Sequence, residues 1–239
     1  MIRAVLFDLD DTLFDHQYCS RAALAGVRAM HPGFEQMDGE ELERAHSRLL
    51  EALHLDVMVG RLHPDVARVE RFRRLYQAAG IEPDAALASR TAASYREGFL
   101  ASRRTISGAA ELLEAVRARA RIGIVSNNLL AEQREKLSHC GLDQYVDVLV
   151  VSEDAGLSKP DPGIFKIALS RLGCRADETV MVVDSWTADI GGAIAAGIRP
   201  VWLNRNGGAM PGGTPTVTAI TSLEPTATVM GLIFGEARI

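Results

Sequence analysis

Acidic, hydroxyl and basic residues follow four apolar runs in this chain. The run Ala4 to Phe7 ends in Asp8-Leu9-Asp10-Asp11-Thr12-Leu13, Ile122 to Val125 in Ser126-Asn127-Asn128, and Val180 to Val183 in Asp184-Ser185-Trp186-Thr187-Ala188-Asp189. Lys159-Pro160-Asp161-Pro162 opens the helical pattern after a further run, Val148 to Val151. Asp8 and Asp10 are two apart, so in an extended chain their side chains leave on the same side. Alone, such a pair is equally at home in a solvated turn or a helix cap. With Asp184 and Asp189 it makes four acidic groups at one place, whose mutual repulsion a hard divalent cation would relieve. Oxygen ligands and room for water and phosphate favour magnesium over zinc. Ser126 reads either as a helix cap or, with neighbouring backbone N–H groups, as a holder of phosphoryl oxygens. Lys159 reads either as a surface charge or as a counter-charge for an anionic transition state.

These groups converge only if the runs are strands of one sheet. Ala4–Phe7, Ile122–Val125, Val148–Val151, Val180–Val183 and Pro200–Leu203 are short and rich in Val and Ile, as buried strands are. Helical spacing near Ala109–Ala118, Ala131–His139, Pro162–Leu172 and Ala188–Ala196 separates them, with Gly141, Gly173 and Gly197 where C-terminal caps fall. Alternation of strand and helix predicts an α/β fold with a doubly wound parallel sheet, in which ligands bind beyond the carboxyl ends of the strands. From Asp15 to Arg104 there is helical periodicity alone. Helices are expected over His16–Met30, Gly39–Val57, Pro64–Ala79 and Pro83–Ala101, punctuated at Pro32-Gly33, Gly60 and Gly80. The reading is a core of residues 1–14 and 105–239 with an inserted helical domain, 15–104. A Gly- and Pro-rich loop from Asn206 to Pro215 precedes a short closing strand and a last helix.

Bulk properties narrow the classes. A formal net charge of -5 argues against a general affinity for nucleic acid or anionic membrane, so any anion site must be built locally. Cys19, Cys140 and Cys174 are odd in number and far apart, which suits a reduced, cytoplasmic protein better than a disulfide framework or a zinc site. No signal peptide or bilayer-length apolar run is expected.

Taken together, the four motifs resemble those of the haloacid dehalogenase-like hydrolase superfamily, in its phosphatase branch with a helical cap. Asp8 to Leu13 is similar to the first motif, Ser126-Asn127 to the second, Lys159-Pro160 to the third, and Asp184-Ser185 with Asp189 to the fourth. The resemblance implies that Asp8 attacks phosphorus and that Asp10 serves as acid and then base. It implies magnesium held by the Asp8 and Asp184 side chains and the Asp10 carbonyl, supported by Asp189. Ser126, Asn127 and Lys159 would bind the phosphoryl group of a small phosphate monoester. It also implies that the loop Met58 to Pro64 faces substrate, with Arg61 reaching it and His63 second, and that the domains hinge near Asp15-His16 and Arg103-Arg104. The alternative for Arg61 is a solvated side chain covering apolar surface. Val183 departs from the usual glycine and Ala188 from a frequent asparagine, which bears on metal-site geometry. Dehalogenating members lack the second motif-one carboxylate, so Asp10 argues against halide chemistry. A phosphomutase of the same superfamily is a rival reading. A phosphate-accepting receiver module is another, but its acidic residue would follow the third strand instead of the first.

Overall fold

The computed structural model describes residues 1–31, 33–211 and 217–236. Pro32 of the predicted punctuation, and Gly212, Gly213 and Pro215 of the predicted tail loop, lie outside the described residues. The chain divides into two compact units, Met1–Asp15 with Arg104–Ile239, and His16–Arg103.

The first unit is built on six strands: β1 (Ala4–Phe7), β2 (Arg121–Ser126), β3 (Val148–Val151), β4 (Thr179–Val183), β5 (Arg199–Leu203) and β6 (Thr218–Ile220). All pairings are parallel and the order is β3-β2-β1-β4-β5-β6. β1 and β4 are fully buried along their lengths. A strand so enclosed tolerates no charge, and Asp8 and Asp184 are the first residues beyond it. The chain winds outward from β1 through β2 to β3 and returns to β4 on the other side. The ends of β1 and β4 therefore flank the switch point where doubly wound sheets bind ligands.

Successive strand residues face opposite ways. Ala4, Leu6, Val125, Met181 and Val183 pack with Ile164, Phe165, Ala168 and Leu172 of a helix over Pro162–Leu172. Gly123 permits that approach, since a Cβ there would meet Leu6 Cδ2 at 2.7 Å and Leu172 Cδ1 at 3.0 Å. A helix over Ala109–Arg117 also packs on β2, and the last helix, Thr226–Phe234, packs on that one. Gly141, Gly173 and Gly197 all adopt positive φ, as the predicted caps require.

The second unit contains α1 (His16–Met30), α2 (Gly39–Met58), α3 (Pro64–Ala78) and α4 (Ala85–Ala101). In the first unit follow α5 (Ala109–Arg117), α6 (Leu130–His139), the short α7 (Ser152–Ala155), α8 (Pro162–Leu172), α9 (Gly191–Ala195) and α10 (Thr226–Phe234). α4 starts two residues later than expected because Asp84 caps it, its Oδ1 accepting from Leu87 N at 2.6 Å. The expected helix Ala188–Ala196 is instead a π-helical turn over Trp186–Ile190 followed by α9. α1 packs on α4, and α3 on both α2 and α4, around Leu24, Val27, Phe34, Leu42, Phe72, Leu75, Tyr76 and Tyr95.

Where the chain leaves and re-enters the sheet unit it is tied to itself. Phe14 bridges Thr105, Asp15 N donates to Arg104 O at 3.1 Å, and Arg104 Nη2 and Nε donate to Asp15 Oδ2 at 2.6 and 2.9 Å. Arg205 Nη2 reaches the other oxygen, Asp15 Oδ1, at 3.2 Å. Among the described residues no helix is long and apolar enough to cross a membrane. Cys19, Cys140 and Cys174 are not joined in disulfides.

Candidate active site

Asp8 leaves the end of β1 pointing into a buried cluster. One oxygen from each of Asp8, Asp184 and Asp189 lies within 4.8 Å of the others. Lys159 Nζ stands 2.5 Å from Asp8 Oδ1 and 2.5 Å from Asp189 Oδ1, and all three groups are almost wholly buried. Three carboxylates against one ammonium leave two negative charges. Burial first, then Asp189 and Asp184, push the Asp8 carboxyl well above the usual range, although Lys159 opposes the shift. Asp184 is pushed up to about 6, chiefly by burial and then by Asp189. Burial lowers the proton affinity of Lys159, but Asp189 and Asp8 outweigh it and hold the ammonium charged.

Local structure fixes each member. After Leu9 the chain turns tightly, with Leu13 N and Phe14 N both donating to Leu9 O and Asp11 at φ 61°. Asp184 is clamped by Thr12, whose Oγ1 accepts from Asp184 N at 3.1 Å and donates to Asp184 Oδ1 at 3.3 Å, and Trp202 Nε1 donates to Asp184 O at 2.8 Å. Lys159 is held by Asn127, which donates through Nδ2 to Lys159 O at 2.9 Å and accepts at Oδ1 from Lys159 N at 2.7 Å. The Asn127 side chain thus positions the lysine. Gly192 completes the support, because a Cβ there would meet Pro160 O at 2.6 Å. Val183 is fully buried at the end of β4, and Ala188 N donates to Ser185 Oγ at 3.2 Å to close the π-helical turn.

Asp10 does not share the Asp8 cluster. The tight turn sends its carboxylate toward α6, where Lys136 Nζ donates to Oδ1 at 2.6 Å and Gln133 Nε2 to Oδ2 at 2.9 Å. Asn128 Nδ2 also reaches Oδ2, at 3.4 Å. Gln133 Nε2 lies 2.5 Å from Ser126 Oγ as well, linking the serine at the end of β2 to Asp10. Sequence reasoning missed Gln133 and Lys136. Their signal was legible: they stand three apart on one helical face, polar and buried beside Leu137. Arg61 lies in the other unit, its side chain 70% exposed and paired with Asp56 at 3.0 Å.

The donor set fits a hard divalent cation. It offers three carboxylate oxygens with two uncompensated charges and no nitrogen or sulfur ligand. A positive centre there would also offset the repulsion that, after burial, raises Asp8 and Asp184.

Comparison with known proteins follows the same lines. Residues 2–197 match the family model described as haloacid dehalogenase-like hydrolase. The chain is 29% identical over 224 residues to the pyrimidine 5'-nucleotidase YjjG of Escherichia coli, covering 92% of this chain and 93% of the relative. It is 32% identical over 209 residues to a glyceraldehyde 3-phosphate phosphatase of Methanopyrus kandleri, covering 86% and 85%. Among solved structures it resembles the magnesium-bound HAD-hydrolase YfnB of Bacillus subtilis, with TM-score 0.75, 25% identity and coverage of 96% and 98%.

Proposed function

Since the chain belongs to the haloacid dehalogenase-like hydrolases, we propose that it is a magnesium-dependent phosphatase that hydrolyses a small phosphate monoester through an aspartyl-phosphate on Asp8. The observation that carries this reading is the buried cluster of Asp8, Asp184 and Asp189 closed by a single lysine. The relatives named for phosphatase and nucleotidase activity, and the magnesium-bound neighbour, support it.

In this reading Asp8, Asp184 and Asp189 hold the metal, which when bound polarises the phosphoryl group and neutralises its charge. An Asp8 carboxylate oxygen attacks phosphorus as the ester P–O bond breaks, and Asp10 gives its proton to the departing alkoxide. Asp10, now ionised, takes a proton from water; the water oxygen attacks phosphorus, the acyl-phosphate P–O bond breaks, and phosphate and free Asp8 result. Lys159 offsets charge on the phosphoryl oxygens, and Ser126 donates to one of them. Lys136 and Gln133 position Asp10 between these duties. Residues 15–104 act as a cap that selects the ester, with Arg61 among its contacts. Exchanging Asp56 for a ligand anion costs Arg61 little, because exposed ion pairs are worth about 0–1 kcal/mol. Cysteines outside disulfides accord with a cytoplasmic location.

Asp8→Asn tests the mechanism. The amide keeps the shape and loses the nucleophile, so magnesium-supported hydrolysis of an aryl phosphate should fall by at least about a thousandfold while the fold persists. Near-normal turnover by the purified variant would remove Asp8 from the chemistry.

A further inference from the structure

The helical unit buries a basic and aromatic group that plays no part in the mechanism above. Arg71 of α3 is 8% exposed, and its guanidinium carbon lies 5.5 Å from the ring centre of Phe72 and 5.1 Å from that of Tyr95. His46 of α2 is completely buried against the same rings, 4.7 Å from Tyr95 and 5.8 Å from Phe72 between ring centres. Arg71 Nε and both ring nitrogens of His46 are buried without a hydrogen-bond partner. The acids on α3 are engaged elsewhere, Asp65 with Arg68, and Glu70 with Arg73 and Arg74. Among the described residues, no carboxylate is paired with Arg71.

Burying an unpaired cation is costly, and cation–π contact with two rings recovers only part of that cost. A lysine would escape by losing its proton, but a guanidinium cannot. A methionine would fill the same space without the penalty. An arginine kept in such a place, beside a histidine whose two nitrogens have no partner, is built for a ligand with negative charge. We propose that Arg71 and His46 form an anion-binding site inside the helical unit, which takes a carboxylate or a phosphoryl group in the Arg71 fork with a His46 N–H as a further donor. Phe72 and Tyr95 wall the site and keep it dry, which strengthens each charged hydrogen bond.

The test uses the full-length chain carrying Asp8→Asn, in excess chelator, so that neither turnover nor metal contributes. Inorganic sulfate and succinate are titrated while the His46 ring resonances and the thermal midpoint are followed. Saturable movement of the His46 resonances and a raised midpoint are expected. Arg71→Met should abolish both while melting no lower than its parent in anion-free buffer, and Arg71→Lys should weaken binding about tenfold. Two sources share this chemistry, and kinetics in the Asp8 background separates them. A KM increase from Arg71→Met confined to esters bearing a second anionic group assigns the anion to the substrate; unchanged kinetics assigns it to a free anion. Static His46 resonances, an equal response in Arg71→Met, or unfolding of both Arg71 variants would overturn the site. None of these results bears on whether Asp8 is the nucleophile.

Discussion

Replacing Lys159 by methionine removes the ammonium that holds the acidic cluster while retaining its stem. Two unit charges 2.5 Å apart attract by roughly 6–7 kcal/mol at an effective dielectric of about 20. Most of that attraction offsets the desolvation of the groups, so the loss read in stability is the smaller cost of breaking a buried pair, about 3–5 kcal/mol. The effect depends on pH with a definite sign. Asp8 and Asp189 are raised above their ordinary values chiefly by burial, and Lys159 is the group that opposes the rise. Without it their folded-state values climb further above the unfolded ones, so the folded variant binds protons more readily than the unfolded chain. Its stability therefore increases as pH falls toward the ordinary carboxylate range, and the deficit narrows. Both tryptophans, Trp186 and Trp202, lie in the sheet unit and meet edge to face at 4.9 Å. Their fluorescence in urea reports that unit alone. With a slope of roughly 2 kcal/mol per molar, Lys159→Met in chelator should lower the midpoint by about 1.5–2.5 M at pH 8 and by distinctly less at pH 5. Equal midpoints at pH 8, or a deficit unchanged by pH, would refute the claim that this lysine neutralises the cluster.

Because Asp184 is held at about 6, a proton must leave it before a cation binds, and magnesium affinity read by tryptophan fluorescence should drop about tenfold per unit below that pH. Constant affinity between pH 5 and 7.5 would detach Asp184 from the metal. Lys136→Met frees the Asp10 carboxylate and should reduce kcat about 10- to 100-fold for an alkyl phosphate, but only a few-fold for a nitrophenyl ester whose leaving group needs no proton. Equal losses on the two substrates would indicate general distortion. His46 is held well below its usual value by burial, then by Arg71 and His16, so it stays neutral in the fold while the unfolded chain takes up a proton. Stability of the helical unit should thus decline as pH falls through about 6.5, and His46→Leu should flatten that decline in amide-exchange protection of α2 to α4; parallel profiles would contradict it.

The sheet was legible because burial on both faces writes itself as short unbroken runs of Val and Ile, and Ala4–Phe7 and Val148–Val151 come out with the bounds that the runs suggest. Helix ends depended on caps whose side chains had to be seen bonding, as with Asp84 ahead of α4. The π-helical turn at Trp186–Ile190 carries no period by which to recognise it. At the site, residue types and their places after strands marked Asp8, Asp184, Asp189 and Lys159, since strand ends on one edge of a parallel sheet must lie together. Spacing put the Asp8 and Asp10 side chains on one side for as long as the chain stays extended; it turns after Leu9, and the Asp10 carboxylate bonds Gln133 and Lys136 of α6. That Asn127, expected at the ligand, also bonds the Lys159 backbone was not legible in the sequence. Sequence by itself therefore determined the chemistry available and the end of the sheet where it gathers, because both follow from local pattern. Only the tertiary structure decided which carboxylate meets which cation, because Asp8 and Lys159, and Asp10 and Lys136, lie more than a hundred residues apart in sequence and meet only when the sheet and its helices assemble.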